Sequence, residues 1–356
     1  MNESDQYEKI LESIRALAND EPLAFDISRL LYEHNCFCLL SKHPGPHAYT
    51  EQLQADGALN RICVRERYRQ CLPIFEALES GGISYAVIKG AVLSQAAYGD
   101  AAARRSGDID LLISQRDIDE IKRLLLNDGF VQGRVTDEGI VPFTRRELLF
   151  QTAMSHQAAP FIKRTGNPLC PYVNVDVNLD ILWGESETKT DMDFVLSETE
   201  PVDICGISVR KLPGEMELIA LCLHHYKDMN SLYLLSQGSL KLSLFCDLYF
   251  YLRRSKLDTI RLKTICDKLK VRDYVYYCLY YTSRLFNDSL FGGYLSAVKT
   301  EKSEGILNTF GLAHEEKREW SLDFFERLFS ADLNRYLSLN LSAADWDKIQ
   351  VNREYM

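Results

Sequence analysis

The chain has 356 residues, of which 46% are hydrophobic and 26% charged, and its formal net charge is −10 at pH 7. This composition excludes an intrinsically disordered chain, which combines low hydrophobicity with high charge. The acidic balance argues against broad, sequence-independent binding to nucleic acid, because such binding depends on Lys and Arg displacing counterions from phosphates. Since single cores rarely exceed about 250 to 300 residues, we expect more than one compact region.

The compartment and the membrane state are suggested by what the sequence lacks. The ten cysteines are scattered and show no Cys/His spacing typical of a zinc site, which predicts reduced thiols in a cytoplasmic protein. The opening segment is polar and acidic, unlike a signal peptide. No stretch of about 20 residues is without charge, so no membrane-spanning helix is predicted.

The N-terminal part of the chain has helical periodicity. Apolar residues recur at helical spacing over residues 7–40, which predicts two amphipathic helices. Segment 41–50 contains two prolines and a glycine and is predicted to be a connection. A longer helix is predicted over residues 56–80, ending at Gly81 and Gly82 because glycine readily adopts the left-handed conformation.

The middle of the chain changes to short strands. Segments 84–90 and 106–114 are predicted strands with a helix over 91–99 between them, in the order β-α-β. A helix follows over 117–130, with Asp117 as its predicted N-cap and Gly129 at its end.

Two further strands are predicted over residues 148–156 and 172–183, because both segments alternate in polarity. The turn residues at 166–168 lie between them, so the two are expected to be antiparallel neighbours. Segment 207–212 is a candidate for one more strand.

Helical periodicity dominates after Pro213, in segments 215–228, 240–254, 257–269 and 275–286. The predicted fold is therefore mixed α+β, with a small mixed β-sheet core over residues 81–212. This core is flanked by an N-terminal helical region, 1–80, and a C-terminal helical domain, 213–356.

Asp108 and Asp110 are two residues apart within the second predicted strand, so both project from the same face of the sheet. Two such carboxylates repel each other and raise each other's pKa, a cost that a bound divalent cation removes. Oxygen ligands of this kind suit Mg²⁺, with Mn²⁺ as an alternative. On the later strand, Asp176 lies between valines and is the favoured third ligand, while Asp180 has the same parity and is its rival.

Lys89 and Gly90 connect the first strand to the helix that follows it. A helix that begins at a glycine offers free backbone N–H groups to an anion, and Lys89 can add a positive charge against a phosphate. The alternative is a plain turn with a solvated lysine. Arg104 lies shortly before the carboxylates, where its forked donors suit a phosphate or pair with an acid.

Residues 89–113, KGAVLSQAAYGDAAARRSGDIDLLI, resemble an uncharacterised nucleotidyltransferase family of the polymerase-β-like superfamily. The shared features are a Lys-Gly pair, a Tyr, an Arg and a Gly-Asp-Ile-Asp-Leu-Leu run. The resemblance extends well over 83–183 and more loosely into 218–228 and 240–252. Lys89-Gly90-Ala91 stands where the superfamily has Gly-Ser, and Asn178 and Trp183 replace the His and Trp that usually follow the third acid.

The resemblance implies a transferase that moves a nucleoside monophosphate from an NTP such as ATP by a two-metal mechanism. Asp108, Asp110 and Asp176 would hold Mg²⁺, and Asp176 would also help to deprotonate an acceptor hydroxyl. Lys89, Gly90, Arg104 and Gly107 would bind the nucleotide. The acceptor, a small molecule, a protein or an RNA, is left open, as is the oligomeric state.

The alternative function is a catalytically inactive nucleotide-binding or interaction module with the same fold, and a helical scaffold with an accidental Asp pair is a third. The resemblance also makes His225, Lys241 and Asp247 candidates for cleft residues. The tyrosines at 274, 276, 277, 280 and 281 are expected to form a helix core rather than a base-stacking surface.

Overall fold

The computed structural model describes residues 3–23, 25–43, 47–154, 157–184, 186, 188–330 and 332–355. The chain divides into two compact units. We call residues 56–220 the sheet unit, and residues 1–55 together with 221–354 the helical unit. The three consecutive regions expected from the sequence are a different division and remain a prediction.

The helices of the described residues are α1 (Glu3–Ala18), α2 (Ser28–Glu33), α3 (Phe37–Leu40), α4 (Thr50–Ser80), α5 (Gly90–Tyr98), α6 (Ile118–Asn127), α7 (Arg145–Met154), α8 (Met192–Val195), α9 (Gly214–Asn230), α10 (Leu232–Ser236), α11 (Leu242–Arg254), α12 (Thr259–Leu269), α13 (Arg272–Phe286), α14 (Phe291–Val298), α15 (Phe324–Phe329), α16 (Leu333–Asn340) and α17 (Ala343–Tyr355). The strands are β1 (Tyr85–Ile88), β2 (Ile109–Ile113), β3 (Val131–Thr136), β4 (Gly139–Pro142), β5 (Phe161–Arg164), β6 (Tyr172–Asn178), β7 (Glu200–Ile204), β8 (Ile207–Lys211), β9 (Thr309–Phe310) and β10 (Arg318–Glu319).

The sheet unit is built on a mixed six-stranded sheet with the strand order β1-β2-β6-β5-β3-β4. Only the β2–β6 pair within it is parallel, whereas the other neighbours are antiparallel. A separate β7–β8 hairpin belongs to the same unit. The expected α+β fold with a small mixed sheet is confirmed.

The central strands place an apolar face against the core of the sheet unit. Val173, Val175 and Val177 alternate along β6 and are buried, while the residues between them form the opposite face. The buried face packs with apolar residues of β1, β2, α4 and α6 in one core. Chemistry-bearing side chains therefore collect on the other face of the central strands.

The predicted β-α-β order is present, but β1 and β2 are antiparallel, with Ile88 opposite Asp110. The chain thus re-enters the sheet at the end where it left. Lys89 and Gly90 both have positive φ, 56° and 45°, which turns the backbone sharply out of β1 into α5. The loop after α5 then leads back to the same end of the sheet, where β2 begins.

The prediction of a strand over residues 148–156 is wrong, because residues 148–154 belong to α7. Residues 155 and 156 lie outside the described chain. Thr144 and Glu147 cap the start of α7. The Glu147 carboxylate accepts hydrogen bonds from the Thr144 backbone N–H and hydroxyl, and the Glu147 N–H donates to the Thr144 hydroxyl. This Thr-x-x-Glu box is a helix signal that outweighs weak alternation.

The antiparallel neighbour of β6 is instead β5, which the sequence did not predict. The turn at residues 166–168 does connect two antiparallel strands, β5 and β6, as its composition indicated. Strands β3, β4 and β7 were also not predicted, since they are short and mostly half-exposed and carry no strong alternation.

Asp117 occupies the N-cap position of α6, as predicted, although its side chain makes no capping hydrogen bond. A short 3₁₀ turn, Gln115–Asp117, precedes the helix and gives Asp117 a φ of −95° and a ψ of 0°. A capping side chain normally needs an extended backbone to reach the N–H groups of the first turn. Gly129 follows the helix with φ 85°, as expected.

The helical unit contains the helices predicted from the C-terminal periodicity, α11, α12 and α13 among them. Tyr276, Tyr277 and Tyr281 of α13 are buried, which confirms the interpretation of this tyrosine cluster as helix core. None of the helices in the described residues is long and apolar enough to span a membrane.

Candidate active site on the central strands

Parallel pairing of β2 and β6 brings two carboxylates together. Asp110 and Asp176 are direct partners in the register of these strands, and Asp108 lies at the bend that leads into β2. Residues opposite each other on neighbouring strands have side chains about 5 Å apart when they share a face. Asp110 and Asp176 therefore share one face of the sheet, and Asp108 is close enough for its charge to act on Asp176.

Lys89 forms an ion pair with the central carboxylate. Its Nζ lies 2.6 Å from Oδ1 of Asp110, and the two side chains are only 15% and 5% exposed. The Asn178 amide donates to the same oxygen at 3.2 Å. In this structure the lysine expected at a phosphate is bound to a carboxylate of the site.

Asn178 also links Asp110 to the neighbouring segment. Its amide nitrogen donates to the backbone carbonyl of Asp176, and its side-chain oxygen accepts a 2.6 Å hydrogen bond from Gln157. Asn178 is 1% exposed, so these hydrogen bonds hold it in a fixed orientation. Through its hydrogen bond to Asp110, Asn178 connects this carboxylate of β2 to strand β6.

The Asp176 carboxyl group is electrostatically unsatisfied. Burial, followed by the charges of Asp108 and Asp110, raises its pKa to about 7, and the Lys89 charge and the Asn174 amide offset only part of this. Its Oδ1 is buried and has no hydrogen-bond partner within the described chain. A buried oxygen of this kind is costly to leave unpaired, and a cation on this face would satisfy it.

Asp108 is subject to the same forces. Burial and the neighbouring Asp110 charge raise the pKa of its carboxyl group, while Lys89, Arg67 and Arg104 act in the opposite direction. Arg104, selected from the sequence as a nucleotide ligand, thus lies close enough to Asp108 to stabilise its charge. Arg67, on α4, was not predicted.

The loop that carries Arg104 and Gly107 is anchored to two helices. Asn60 of α4 donates to the backbone carbonyls of Ala102 and Arg104, and the Ser94 hydroxyl of α5 accepts from the Arg104 N–H. Gly107 is exposed at the bend before Asp108, with nothing within 4 Å of the position a Cβ would take. The backbone around Arg104 is therefore fixed, while Gly107 leaves open space beside the carboxylates.

Arg67 anchors the same loop about two turns further along α4, where its Nη1 donates to the Ser106 carbonyl at 2.7 Å. A sequence signal for Asn60 and Arg67 does exist. With Val64 and Cys71 they occupy positions i, i+4, i+7 and i+11 of one helix stripe, whose other two members are apolar and buried. Polar residues within an otherwise buried stripe indicate specific hydrogen bonds.

Asp180, the rival for the third carboxylate, is used differently. It is buried, and its oxygens accept hydrogen bonds from the backbone N–H groups of Leu182 and Thr190 and from the Thr190 hydroxyl. It holds the loop after β6 in place. Asp180 also lines a cavity of about 570 Å³, together with Ser114, Gln157 and Lys189.

Mg²⁺ fits the chemistry of the three carboxylates, since they are hard oxygen donors and one buried oxygen of Asp176 has no partner. Within the described chain, no group of three or more His, Cys, Asp and Glu side chains is arranged to hold an ion. Asp110 Oδ1 is instead paired with the Lys89 ammonium group. Coordination by Asp110 through Oδ1 requires that ion pair to open.

His225, Lys241 and Asp247, the candidates taken from the resemblance, lie in the helical unit. His225 and Asp247 are fully buried, on α9 and α11. Lys241 precedes α11 and donates to the Glu33 carbonyl at 3.2 Å. A role for these three residues in a cleft stays a prediction.

Comparison with known protein families identifies the class of protein. Residues 26–287 match the model of a nucleotidyltransferase family whose members are described as uncharacterised. The chain belongs to this uncharacterised nucleotidyltransferase family, which confirms the resemblance drawn from residues 89–113.

The chain is also similar to a solved structure, an antigenic nucleotidyltransferase-like protein from Paracoccidioides brasiliensis. The two are 18% identical, the match covers 63% of this chain and 98% of the other, and the TM-score is 0.34. No curated protein matches this chain.

Proposed function

We propose that this protein transfers a nucleoside monophosphate from an NTP to a hydroxyl group of an acceptor, with Mg²⁺ held by Asp108, Asp110 and Asp176. The observation that carries the proposal is the pairing of Asp110 with Asp176 across parallel strands, with Asp108 beside them. Membership of a nucleotidyltransferase family supports the reaction class.

Each group of the site has a task in this reaction. Bound Mg²⁺ would neutralise the charge of the phosphates and orient them for in-line attack on the α-phosphorus. Asp176 would accept the proton of the acceptor hydroxyl as a general base. Pyrophosphate would leave, and the backbone N–H groups of the first turn of α5, which begins at Gly90, would bind it.

The loop before β2 supplies the nucleotide contacts. Arg104 carries a forked cation beside Asp108, and Gly107 leaves room for a phosphate or ribose to approach the backbone. The acceptor is a small molecule, a protein or an RNA. The initial screen includes ATP among the NTPs, since the preferred base is open, and Mn²⁺ as the alternative ion.

The test is transfer of label from each α-labelled NTP to candidate acceptors with Mg²⁺ or Mn²⁺. Asp110→Asn and Asp176→Asn should each lower the transfer rate roughly a thousandfold or more, because each removes a metal ligand used in the transition state. Asp119→Asn, an exposed carboxylate on α6 of the same unit, is the matched control and should retain wild-type activity.

Equal transfer by wild type and Asp110→Asn would overturn the assignment of the carboxylates. Metal-dependent NTP binding without transfer to any acceptor would replace the proposal with a nucleotide-binding module that has the same fold.

A further inference from the structure

The ion pair between Lys89 and Asp110 occupies the position where a metal ligand is needed. Lys89 Nζ lies 2.6 Å from Asp110 Oδ1, and both side chains are largely buried. Since a divalent ion and an ammonium group compete for the same oxygen, they cannot both bind it fully. The carboxylate must exchange one cation for the other.

We propose that Lys89 is an exchangeable internal counterion, which neutralises Asp110 in the metal-free protein and moves to the nucleotide phosphates when the metal binds. This inference rests on the proposed function, because it requires that Asp110 is a metal ligand. Lys89 would thus pair first with Asp110 and then with the nucleotide phosphates.

The balance of charge explains why a counterion is needed. Asp110 and Asp176 lie opposite each other on β2 and β6, Asp108 is two residues from Asp110, and three ionised carboxylates this close repel one another. A lysine in hydrogen-bond contact offsets one of the three charges without an external ion. Its ammonium group suits exchange, because it is a point charge on a flexible four-carbon stem, whereas an arginine fork would hold the carboxylate in fixed geometry.

The backbone at Lys89 starts the side chain beside both Asp110 and the first turn of α5. Lys89 has φ 56° and ψ −147°, a conformation that costs a residue with a Cβ on the order of 1 to 3 kcal/mol. It precedes the first residue of α5, so its stem starts next to the N–H groups of that helix. A short movement of the side chain therefore exchanges Asp110 for an anion bound at the start of α5.

The first test measures binding of Mn²⁺ alone, counted by its EPR signal, to the wild type and to Lys89→Met. Methionine keeps the length of the stem and removes the competing cation, so the affinity for Mn²⁺ should rise roughly tenfold. Lys163→Met is the matched control, since Lys163 forms a similar half-buried pair with Asp128 in the same unit, at 2.8 Å. It should bind Mn²⁺ as the wild type does.

The second test adds a non-hydrolysable ATP analogue at saturating Mg²⁺. Here Lys89→Met should bind the analogue roughly tenfold more weakly than the wild type, because the phosphates have lost a cation. The substitution thus strengthens the binding of metal alone and weakens the binding of nucleotide. A residue with only a structural role would shift both in the same direction.

Three outcomes would overturn the inference: unchanged Mn²⁺ affinity in Lys89→Met, lower affinity, or stronger binding of the analogue. Circular dichroism checks folding, and Lys89→Arg serves if the Met variant is unfolded. The forked side chain should hold Asp110 more firmly and lower the Mn²⁺ affinity. A gain in Lys89→Arg would contradict the proposal.

Asp110→Asn distinguishes a failure of the proposed function from a failure of the counterion role of Lys89. If it binds Mn²⁺ as tightly as the wild type, the proposed function itself fails. If it loses Mn²⁺ while Lys89→Met shows no gain, only the counterion role fails.

Discussion

Asp176 and Asp180 have the same strand parity near the end of β6, yet their carboxyl groups have opposite surroundings. Asp180 accepts hydrogen bonds from two backbone N–H groups and a hydroxyl of the loop that follows. Asp176 has a buried oxygen with no partner in the described residues, beside two further carboxylates. One carboxylate is satisfied by hydrogen bonds of the fold, whereas the other is buried among like charges.

Two acids that look alike in the sequence therefore differ in their surroundings, and this difference indicates which of them has a structural role. A buried acid with its hydrogen bonds satisfied stabilises the loop that provides them. A buried acid held next to like charges destabilises the protein, and it is expected where a bound ion later compensates. The comparison favours Asp176 over Asp180 as the third metal ligand in the proposed reaction.

The largest effect on stability is expected from Asp180→Ala. It leaves the N–H groups of Leu182 and Thr190 without their acceptor, so the free energy of unfolding should fall by about 3 kcal/mol. The midpoint of chemical denaturation measures this loss. If Asp176→Ala cost as much in the absence of metal, the distinction between the two acids would be lost.

Asp176→Asn should instead stabilise the metal-free protein at high pH. The folded pKa of about 7 lies above the ordinary aspartate value of 3.8, so the ionised carboxylate destabilises the fold increasingly as pH rises from about 4 to 7. Asparagine does not titrate. The variant should therefore gain about 1 to 2 kcal/mol relative to the wild type at pH 8, and little at pH 4.

Unfolding midpoints in EDTA at these two pH values test this prediction, with Asp119→Asn as a control for the loss of an exposed charge. Added Mg²⁺ should stabilise the wild type more than Asp176→Asn, because an ion that binds only the folded state raises its stability. A variant less stable than the wild type at pH 8 would show that Asp176 is already satisfied.

The smallest effect is expected from Thr190→Val, which removes one hydroxyl donor to Asp180 and keeps the shape of the side chain. It should cost about 1 kcal/mol. Thr188→Val, in the same loop but exposed, should be neutral. In a double-mutant cycle with Asp180→Ala, the losses should be less than additive, since both substitutions remove the same hydrogen bond. Full additivity would mean that Thr190 does not contribute through Asp180.

Several parts of the fold could be predicted from local patterns. The alternation of valines with polar residues indicated β6, and Gly81, Gly82 and Gly129 marked the ends of helices. The capping pair Thr144 and Glu147 was equally visible in the sequence but was outweighed by apparent alternation, so α7 was predicted as a strand. Strand order could not be predicted, because pairing depends on contacts between segments distant in sequence.

The sequence by itself indicated that Asp108 and Asp110 lie close together, since they are two residues apart where a strand was predicted, although β2 begins at Ile109 and Asp108 lies at the bend before it. It also indicated the family, which the match over residues 26–287 confirmed. Only the tertiary structure decided which later acid joins them. Strand parity made Asp176 and Asp180 equally good candidates. The register of β2 against β6 places Asp176 opposite Asp110, while the loop after β6 donates hydrogen bonds to Asp180.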